Sequence, residues 1–415
     1  MSNTRHLSDP VELPCGVVLK NRLVKAAMAE HMSTTNTPED TFPVAYKNWG
    51  EGGWGGLITG NVHVDPRYTG GKGDLTFANT SDPVVQSNWR AYAAACHASG
   101  APAIVQICHP GRQSPFNAGE RGFFEKNVAP SPIPMNLGDN LIARAAQKVL
   151  FGTPREISVE EIDELVASFA ENAKFLSEMG FDGVELHAAH GYLLSAFMDE
   201  KMNIRTDTYG STPKNRTRLI TSIIHAIRTT VPATFAVGIK LNSTDTQHSN
   251  TLDATLDQMA HIVDAGIDFL EISGGSYENP VMTGRGTTTP LVSTRTANRE
   301  AYFLDFAASV RSRFPATVLM VTGGFRSLAG MKAALESGAA DIIGIARPAV
   351  VDPAWAKKLL DAEREGGEVV IKLGHVEMGW LMKKIPVRAL GAGAESNYYS
   401  GEIGRLGRGL EARAP

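Results

Sequence analysis

Two histidines and a tyrosine follow one short apolar run near the middle of the chain, in the sequence His187-Ala188-Ala189-His190-Gly191-Tyr192. Two imidazoles three residues apart can both donate N–H hydrogen bonds to one carbonyl, nitro or phenolate oxygen. A tyrosine two residues later can supply a proton from the opposite side of the bound molecule. The pattern indicates a site that binds an oxygen atom of a small molecule and performs acid–base chemistry. The alternative is a pair of structural histidines with a packing tyrosine.

The segments before this motif predict that it lies at the end of a strand. The apolar run 181–186 is typical of a buried strand, and an amphipathic segment precedes it. That segment begins with the capping-box pattern Ser158-Val159-Glu160-Glu161 and ends at Gly180. Catalytic residues of parallel α/β folds lie at the carboxyl edge of the sheet, which favours the functional interpretation.

The same alternation of helix and short strand recurs along the chain and predicts an α/β fold, a (β/α)8 TIM barrel. The predicted helices include Pro43–Trp49, Pro83–Ser99, Arg216–Arg228, Leu256–Ala265, Asn298–Arg313 and Leu328–Glu336. The first predicted strand lies within Leu19–Met28, and the others are Leu57–Val62, Ala103–Ile107, Phe181–Leu186, Phe235–Leu241, Asp268–Ile272, Val318–Val321 and Asp341–Ile345.

Two stretches fall outside this rhythm. Residues 113–156 are rich in glycine, proline and asparagine and are predicted to form a long, irregular loop excursion after strand 3. We expect the barrel to occupy residues 1–365, and 366–415 to form a C-terminal extension that packs on the barrel or on a neighbouring subunit.

The composition is that of an ordinary core-forming protein, with 43% hydrophobic residues and a net charge of −4. This charge gives no electrostatic case for nucleic acid or anionic membrane partners, and no apolar run is long enough to span a bilayer. Three scattered cysteines form no cluster, so we expect free thiols and no metal site. We expect a cytoplasmic protein that acts on a small molecule.

Two late strand ends are suited to bind a phosphate. Gly323 and Gly324 follow strand 7, and Ala346 and Arg347 follow strand 8. The loops after these two strands form the usual phosphate site of barrels, because backbone N–H groups converge there.

Two further strand-end residues are suited to contact a cofactor ring. Gln106, after strand 3, can hydrogen-bond the edge of a pyrimidine. Lys240, after strand 5, can place positive charge beside an electron-accepting ring. A buried cation needs a partner, and an anionic reduced flavin would be one.

Across roughly residues 10–355 the chain resembles the old yellow enzyme family of FMN-dependent NAD(P)H oxidoreductases. The matching segments occur in the same order as in that family. They include Leu19-Lys20-Asn21-Arg22-Leu23-Val24, Gln106-Ile107-Cys108-His109-Pro110-Gly111-Arg112, Ala129-Pro130-Ser131, residues 181–193, Asn203-Ile204-Arg205-Thr206-Asp207-Thr208-Tyr209-Gly210 and Asn215-Arg216, together with the glycine and arginine loops.

The resemblance implies roles for individual residues. The proton donor would be Tyr192, and the substrate oxygen would be bound by His187 and His190. The isoalloxazine of FMN would be surrounded by Ala27, Met28, Ala29, Val62, Gln106 and Lys240. Its phosphate would be bound by Gly323, Gly324, Ala346 and Arg347.

The implied reaction is ping-pong reduction of an activated C=C bond in α,β-unsaturated carbonyl or nitro compounds, with NADPH or NADH as hydride donor. Departures from the family pattern affect the pocket and the flavin. His31 stands where one branch has an active-site tyrosine and is expected to bind substrate. Lys240 replaces an arginine, which keeps the charge but loses the bidentate hydrogen-bonding geometry. Ala29 replaces a threonine or cysteine and has no side-chain donor, which predicts a flavin less easily reduced.

Other interpretations stay open. The flavin barrel could be an isomerase or oxidase of a biosynthetic pathway, a non-catalytic flavin-binding protein, or a flavin-free lyase with Lys240 as a Schiff-base amine. The iron–sulfur branch of the family is excluded because the cysteine cluster is missing. The sequence does not choose between monomer and homodimer.

Overall fold

The computed structural model describes residues 5–122, 124–243, 251–273, 304–374, 376 and 389–415, with 389–392 described by backbone alone. Eight parallel strands form a closed barrel, because β1 pairs with both β2 and β8. The predicted (β/α)8 fold is confirmed. The strands are β1 (Leu23–Lys25), β2 (Gly56–His63), β3 (Ala103–Cys108), β4 (Gly183–Ala188), β5 (Ala236–Asn242), β6 (Phe269–Ser273), β7 (Leu319–Thr322) and β8 (Ile342–Ile345).

Helices surround the barrel, and their ends follow local capping signals. Ser158 and Glu161 form the predicted capping box, and the Asp82 side chain accepts a hydrogen bond from the Val84 N–H. The helices are α1 (Thr41–Gly50), α2 (Pro83–Cys96), α3 (Val159–Glu178), α4 (Pro213–Thr230), α5 (Leu252–Asp264), α6 (304–313), α7 (Leu328–Glu336) and α8 (Trp355–Glu365).

One predicted helix is longer than the observed one, and another begins outside the described residues. Helix α2 ends at Cys96 rather than at Ser99, because residues 97–99 turn towards Gly100, whose φ is +75°. The predicted helix Asn298–Arg313 begins outside the described residues, and only 304–313 can be compared.

Strand side chains alternate between the helical layer and the barrel interior. At the amino ends of the strands the interior is apolar, with Ile104, Phe269 and Met320 in one buried cluster. The hairpin of Val11–Glu12 and Val18–Leu19 packs against this cluster and closes that end of the barrel. The interior therefore becomes polar only towards the carboxyl edge, where the site is expected.

The stretch 113–156 is more ordered than predicted. It contains a helix, Leu141–Leu150, begun by the side chain of Asn140, and a small parallel pair of strands, Val128–Ala129 and Arg155–Glu156. The expectation of an irregular loop is therefore corrected. The glycine and proline content that motivated it lies in the turns between these short elements.

A helix of the C-terminal extension, Ala389–Gly407, packs on α1 and on the short helix Arg347–Val351. Its residues Tyr399, Ile403 and Leu406 are buried in the main hydrophobic core. We call it the C-terminal helix. Within the described ranges, no helix is long and apolar enough to cross a membrane.

Candidate active site

The two histidines and the tyrosine form one cluster of rings. The ring centroids of His187 and His190 are 5.0 Å apart, and those of His187 and Tyr192 are 4.6 Å apart. One prediction is corrected, because His187 lies within β4 and does not follow it. The side chain of His187 points into the barrel near the carboxyl end of β4, where His187 pairs with Lys240. Tyr192 is the N-cap of the short helix Leu193–Met198.

His190 occupies a turn that other side chains hold in place. Its φ of +59° lies in the left-handed region, which non-glycine residues seldom adopt. The side-chain oxygen of Asn242 accepts its N–H at 3.1 Å, and the side-chain amide of Gln113 donates to its carbonyl at 2.7 Å. Ring nitrogen Nε2 lies 3.3 Å from the Ser273 hydroxyl. Two side chains therefore fix the backbone of His190, and Ser273 contacts its ring.

Both imidazoles are neutral at physiological pH. Burial lowers the pKa of His190 to about 3, with Lys240 adding to the effect. Burial also holds the pKa of His187 well below its usual value, with His190 adding to the effect. Nδ1 of His187 is buried and has no hydrogen-bond partner among the described residues. A buried polar atom without a partner is costly unless a ligand satisfies it.

Lys240 has a protein partner that the sequence analysis missed. Its Nζ lies 2.6 Å from Oε1 of Glu271, its neighbour across the β5–β6 pair. Gln106 donates from Nε2 to Glu185 at 2.7 Å, across the β3–β4 pair. All four side chains are buried in the barrel interior. We call them the interior polar layer.

The interior polar layer holds two carboxyl groups and one cation. Burial, reinforced by the charge of Glu271, raises the pKa of Glu185 well above its usual value. Although burial opposes it, the Lys240 charge lowers the pKa of Glu271. Of the two carboxyl groups, Glu185 therefore favours its protonated form, and it lies beside the Lys240–Glu271 ion pair.

The two predicted phosphate-binding loops lie side by side, because β7 and β8 are paired. Gly324 has a φ of +74°, a conformation that favours glycine. The guanidinium of Arg347 forms an ion pair with Glu395 of the C-terminal helix, at 2.8 Å. The expected phosphate ligand is thus also one of the residues that join this helix to the barrel.

The remaining predicted cofactor residues differ in accessibility. Val62 is fully buried in β2. The other positions form a ring of partly exposed residues at the carboxyl edge of the barrel, whereas the strands themselves are buried. These positions are Ala27, Met28, Ala29, His190, Gly323, Gly324, Ala346 and Arg347.

A cavity of about 660 Å³ opens beside this ring. Tyr192 and His31 line its barrel side, and Ser400 and Gly404 of the C-terminal helix line the opposite side. Ser400 also donates to the carbonyl of Ala29 at 2.7 Å. The C-terminal helix therefore forms one wall of the cavity that Tyr192 faces.

Several residues of this region were not predicted from the sequence: Asp74, Gln113, Glu185, Asn242, Glu271 and Glu395. A signal for two of them was present. Glu185 and Glu271 each interrupt a short apolar strand, and a charge inside a buried strand requires a partner. Within the described residues, no group of histidine, cysteine and carboxylate side chains could hold a metal ion.

Residues 6–365 match the model of the NADH:flavin oxidoreductase / NADH oxidase family. The NADH-dependent flavin oxidoreductase iliE of Neonectria sp. (strain DH2) is 43% identical over 410 residues, covering 95% of this chain but 53% of that protein. The protein of the same name from Hypocrea jecorina (strain QM6a) is 41% identical over 388 residues, covering 93% of this chain and 96% of that protein.

Solved structures agree on the fold. Morphinone reductase superposes with a TM-score of 0.70 at 21% sequence identity, covering 89% of this chain and 92% of its own. An old yellow enzyme homologue from Zymomonas mobilis superposes with a TM-score of 0.69 at 22% identity, covering 86% of this chain and 92% of its own.

Proposed function

The chain belongs to the NADH:flavin oxidoreductase / NADH oxidase family, the old yellow enzyme family, and from this premise we propose that it is an ene-reductase. As a family member it is an FMN oxidoreductase that takes electrons from NAD(P)H. The proposed substrates are α,β-unsaturated carbonyl or nitro compounds, whose activated C=C bond is reduced. The observation that carries the proposal is the ring cluster of His187, His190 and Tyr192 beside the cavity.

Several features of the carboxyl edge fit FMN. The ring of partly exposed positions is accessible to a ligand, and Gly324 leaves backbone N–H groups free of a covering side chain. The isoalloxazine would be bound by Ala27, Met28, Ala29, Gln106 and Lys240 with Val62 behind them, and the phosphate by Gly323, Gly324, Ala346 and Arg347. When bound, FMN supplies the hydride for the substrate.

His187 and His190 would bind the substrate's carbonyl or nitro oxygen. Both rings are neutral, so each binds through an N–H donor without placing a fixed charge in the site. Nδ1 of His187, which has no hydrogen-bond partner among the described residues, would form its hydrogen bond with this oxygen. As negative charge develops on the oxygen, two donors already fixed in place stabilise it without reorganisation.

Tyr192 would protonate the α-carbon. It lies in contact with His187 and lines the cavity, so a molecule bound to the histidines lies beside its hydroxyl. General acid catalysis by a positioned side chain typically contributes about 10²–10⁴-fold to the rate.

The test is a visible spectrum of the purified protein without oxygen, first with NADH or NADPH and then with 2-cyclohexenone. We expect a yellow protein that bleaches with the nicotinamide and regains its colour with the enone. Bleaching without recovery would contradict ene-reduction of simple enones. Substrate turnover without nicotinamide consumption, by a protein that does not reduce the enone, would instead favour the isomerase alternative.

A further inference from the structure

An imidazole faces the cavity beside Tyr192. The imidazole of His31 lines the cavity, and its side chain is 25% exposed. Its Nδ1 lies 2.7 Å from Oδ1 of Asp74, whose side chain is 2% exposed. No described residue hydrogen-bonds Nε2 of His31. One ring nitrogen therefore lies within ion-pair distance of a carboxylate, and the other is available to a ligand.

Asp74 is itself fixed from the other side. Its Oδ2 accepts hydrogen bonds from the backbone N–H of Gly71 and from Nε2 of His63, both at 2.8 Å. His63 is fully buried in β2. A carboxylate fixed in this position, 2.7 Å from Nδ1 of His31, favours the tautomer with hydrogen on Nδ1.

The charge of Asp74 also controls the protonation of His31. Burial alone would lower the pKa of this imidazole, but the hydrogen bond to Asp74 and the charges of Asp74 and Glu30 outweigh it and raise the pKa. A neutral His31 with Nδ1–H can accept a proton at Nε2, and the resulting imidazolium is stabilised by Asp74. The pair has the properties of an acid–base catalyst.

The backbone of His31 is held in an unusual conformation. Its φ is +49°, in the left-handed region. The Ser33 N–H donates to the carbonyl of Gly73 at 3.0 Å, which joins this loop to the loop that carries Asp74. Strained backbone that the surrounding structure holds in place is typical of functional sites.

His31 and Tyr192 flank the same pair of glycines. A Cβ at Gly71 would lie 3.3 Å from Cε1 of His31, and one at Gly70 would lie 3.2 Å from the Tyr192 hydroxyl. The absent side chains leave both groups open to the same space. The proposed reduction uses Tyr192 and leaves no step for His31.

We propose that His31, oriented by Asp74, is a second acid–base residue of the cavity, and that it isomerises β,γ-unsaturated carbonyl compounds into the conjugated enones that the reduction consumes. The binding pose rests on the proposed function, with the carbonyl oxygen held by His187 and His190. The isomerisation itself requires no nicotinamide.

The step balances without an oxidant or reductant. Nε2 of His31 takes the proton from the α-carbon, and the electron pair of that C–H bond forms the new Cα=Cβ bond. Charge passes through the carbonyl oxygen, where the two histidine N–H donors stabilise it. The former Cβ=Cγ electron pair then takes the same proton from Nε2 at the γ-carbon.

The experiment uses the oxidised holoenzyme without oxygen or nicotinamide and follows the conversion of 3-cyclohexenone to 2-cyclohexenone by ultraviolet absorbance. The first variant is His31→Gly, because glycine adopts the φ of this position without strain. We expect the isomerisation rate of this variant to fall by about a hundredfold or more and to be partly restored by imidazole added to the buffer. Asp74→Asn, the second variant, should slow the reaction because asparagine cannot balance the imidazolium charge.

The matched control is His97→Gln, which removes a different histidine–aspartate pair. Nε2 of His97 lies 2.6 Å from Asp182, which precedes β4 at the opposite end of the barrel. This variant should isomerise at the wild-type rate.

Three results would overturn the inference: no isomerisation by the wild type, an equal rate in His31→Gly, or a loss in a still-yellow His31→Gly protein that imidazole does not restore. The proposed function fails by a different readout. If NADH-reduced protein ignores 2-cyclohexenone while isomerisation depends on His31, the reduction is wrong and the acid–base role of His31 stands.

Discussion

Burial and pairing, rather than residue type alone, set the charges of the candidate site. His187 and His190 are neutral because they are buried beside Lys240 and beside each other. Lys240 keeps its charge because Glu271 balances it. This cation therefore has a counter-ion in the protein itself and does not depend on a reduced flavin for one. His31 differs from both, since a carboxylate favours its charged form. The hydroxyl of Tyr192 is the acid that the proposed reduction uses.

We predict that Tyr192→Phe slows reoxidation of the reduced protein by 2-cyclohexenone by about a hundredfold or more, because the α-carbon loses its proton donor. Reduction by NADH should be affected far less, since it needs no proton from this hydroxyl. Stopped-flow absorbance measures the two half-reactions separately.

The control for this prediction is Tyr209→Phe, which removes a buried tyrosine hydroxyl that does not line the cavity. Equal losses in both half-reactions of Tyr192→Phe would mean that Tyr192 supports the structure and is not the acid.

Among the elements, the C-terminal helix lines one side of the cavity. It is joined to the barrel by the Arg347–Glu395 ion pair and by the hydrogen bond from Ser400 to Ala29. Small residues face the cavity from this helix. A Cβ atom added at Gly404 would lie 3.6 Å from Nη1 of Arg408 and 4.0 Å from Cγ of Met32, so the position has room for a side chain. We infer that these small residues set the size of substrate that enters.

We predict that Gly404→Leu raises the KM for bulky enones by about tenfold or more, while 2-cyclohexenone is affected less, because the added methyl and methylene groups occupy cavity volume. Gly404→Ala is the matched control, since it brings the same gain in helix propensity with a single methyl group. Steady-state kinetics with a series of enones of increasing size is the measurement. A uniform change across the series would argue against a wall that selects by size.

On the scale of the whole molecule, the interior polar layer joins four neighbouring strands through the middle of the barrel. Gln106 and Glu185 connect β3 with β4, and Lys240 and Glu271 connect β5 with β6. The layer separates the apolar closed end from the catalytic edge. A buried ion pair of this kind contributes little net stability, but removal of one partner is strongly destabilising.

We predict that Glu185→Gln becomes more stable relative to wild type as the pH rises. The folded-state pKa of Glu185 is raised above its usual 4.5, so its stabilising contribution is complete below that value and is lost as the pH rises through the folded pKa. Within that window the wild type loses about 1.4 kcal/mol of unfolding free energy per pH unit, and glutamine does not titrate.

Urea denaturation of both proteins at several pH values between about 5 and 8 measures this difference. Glu178→Gln is the control, because that glutamate is exposed on α3 and its side chain keeps 58% of its surface accessible. Parallel stability profiles for Glu185→Gln and wild type would contradict a protonated Glu185.

Local sequence signals determined most of the barrel elements and part of the candidate site. Helix caps such as Ser158, the period of the apolar residues and the repeated alternation of helix and strand predict the barrel, because these signals act within a few residues. Parallel strands bring their carboxyl ends to one edge, so His187, Gln106 and Lys240 could be placed together before any contact was known.

Only the tertiary structure decided which side chains pair. Lys240 and Glu271 are 31 residues apart, His31 and Asp74 lie on different loops, and Arg347 finds Glu395 at a separation of 48 residues. The short range of hydrogen bonds and ion pairs makes each pair depend on strand register and loop path, which no local pattern encodes. The physical difference is range: periodicity and capping act within one element, whereas charge balance and proton positions depend on contacts between elements.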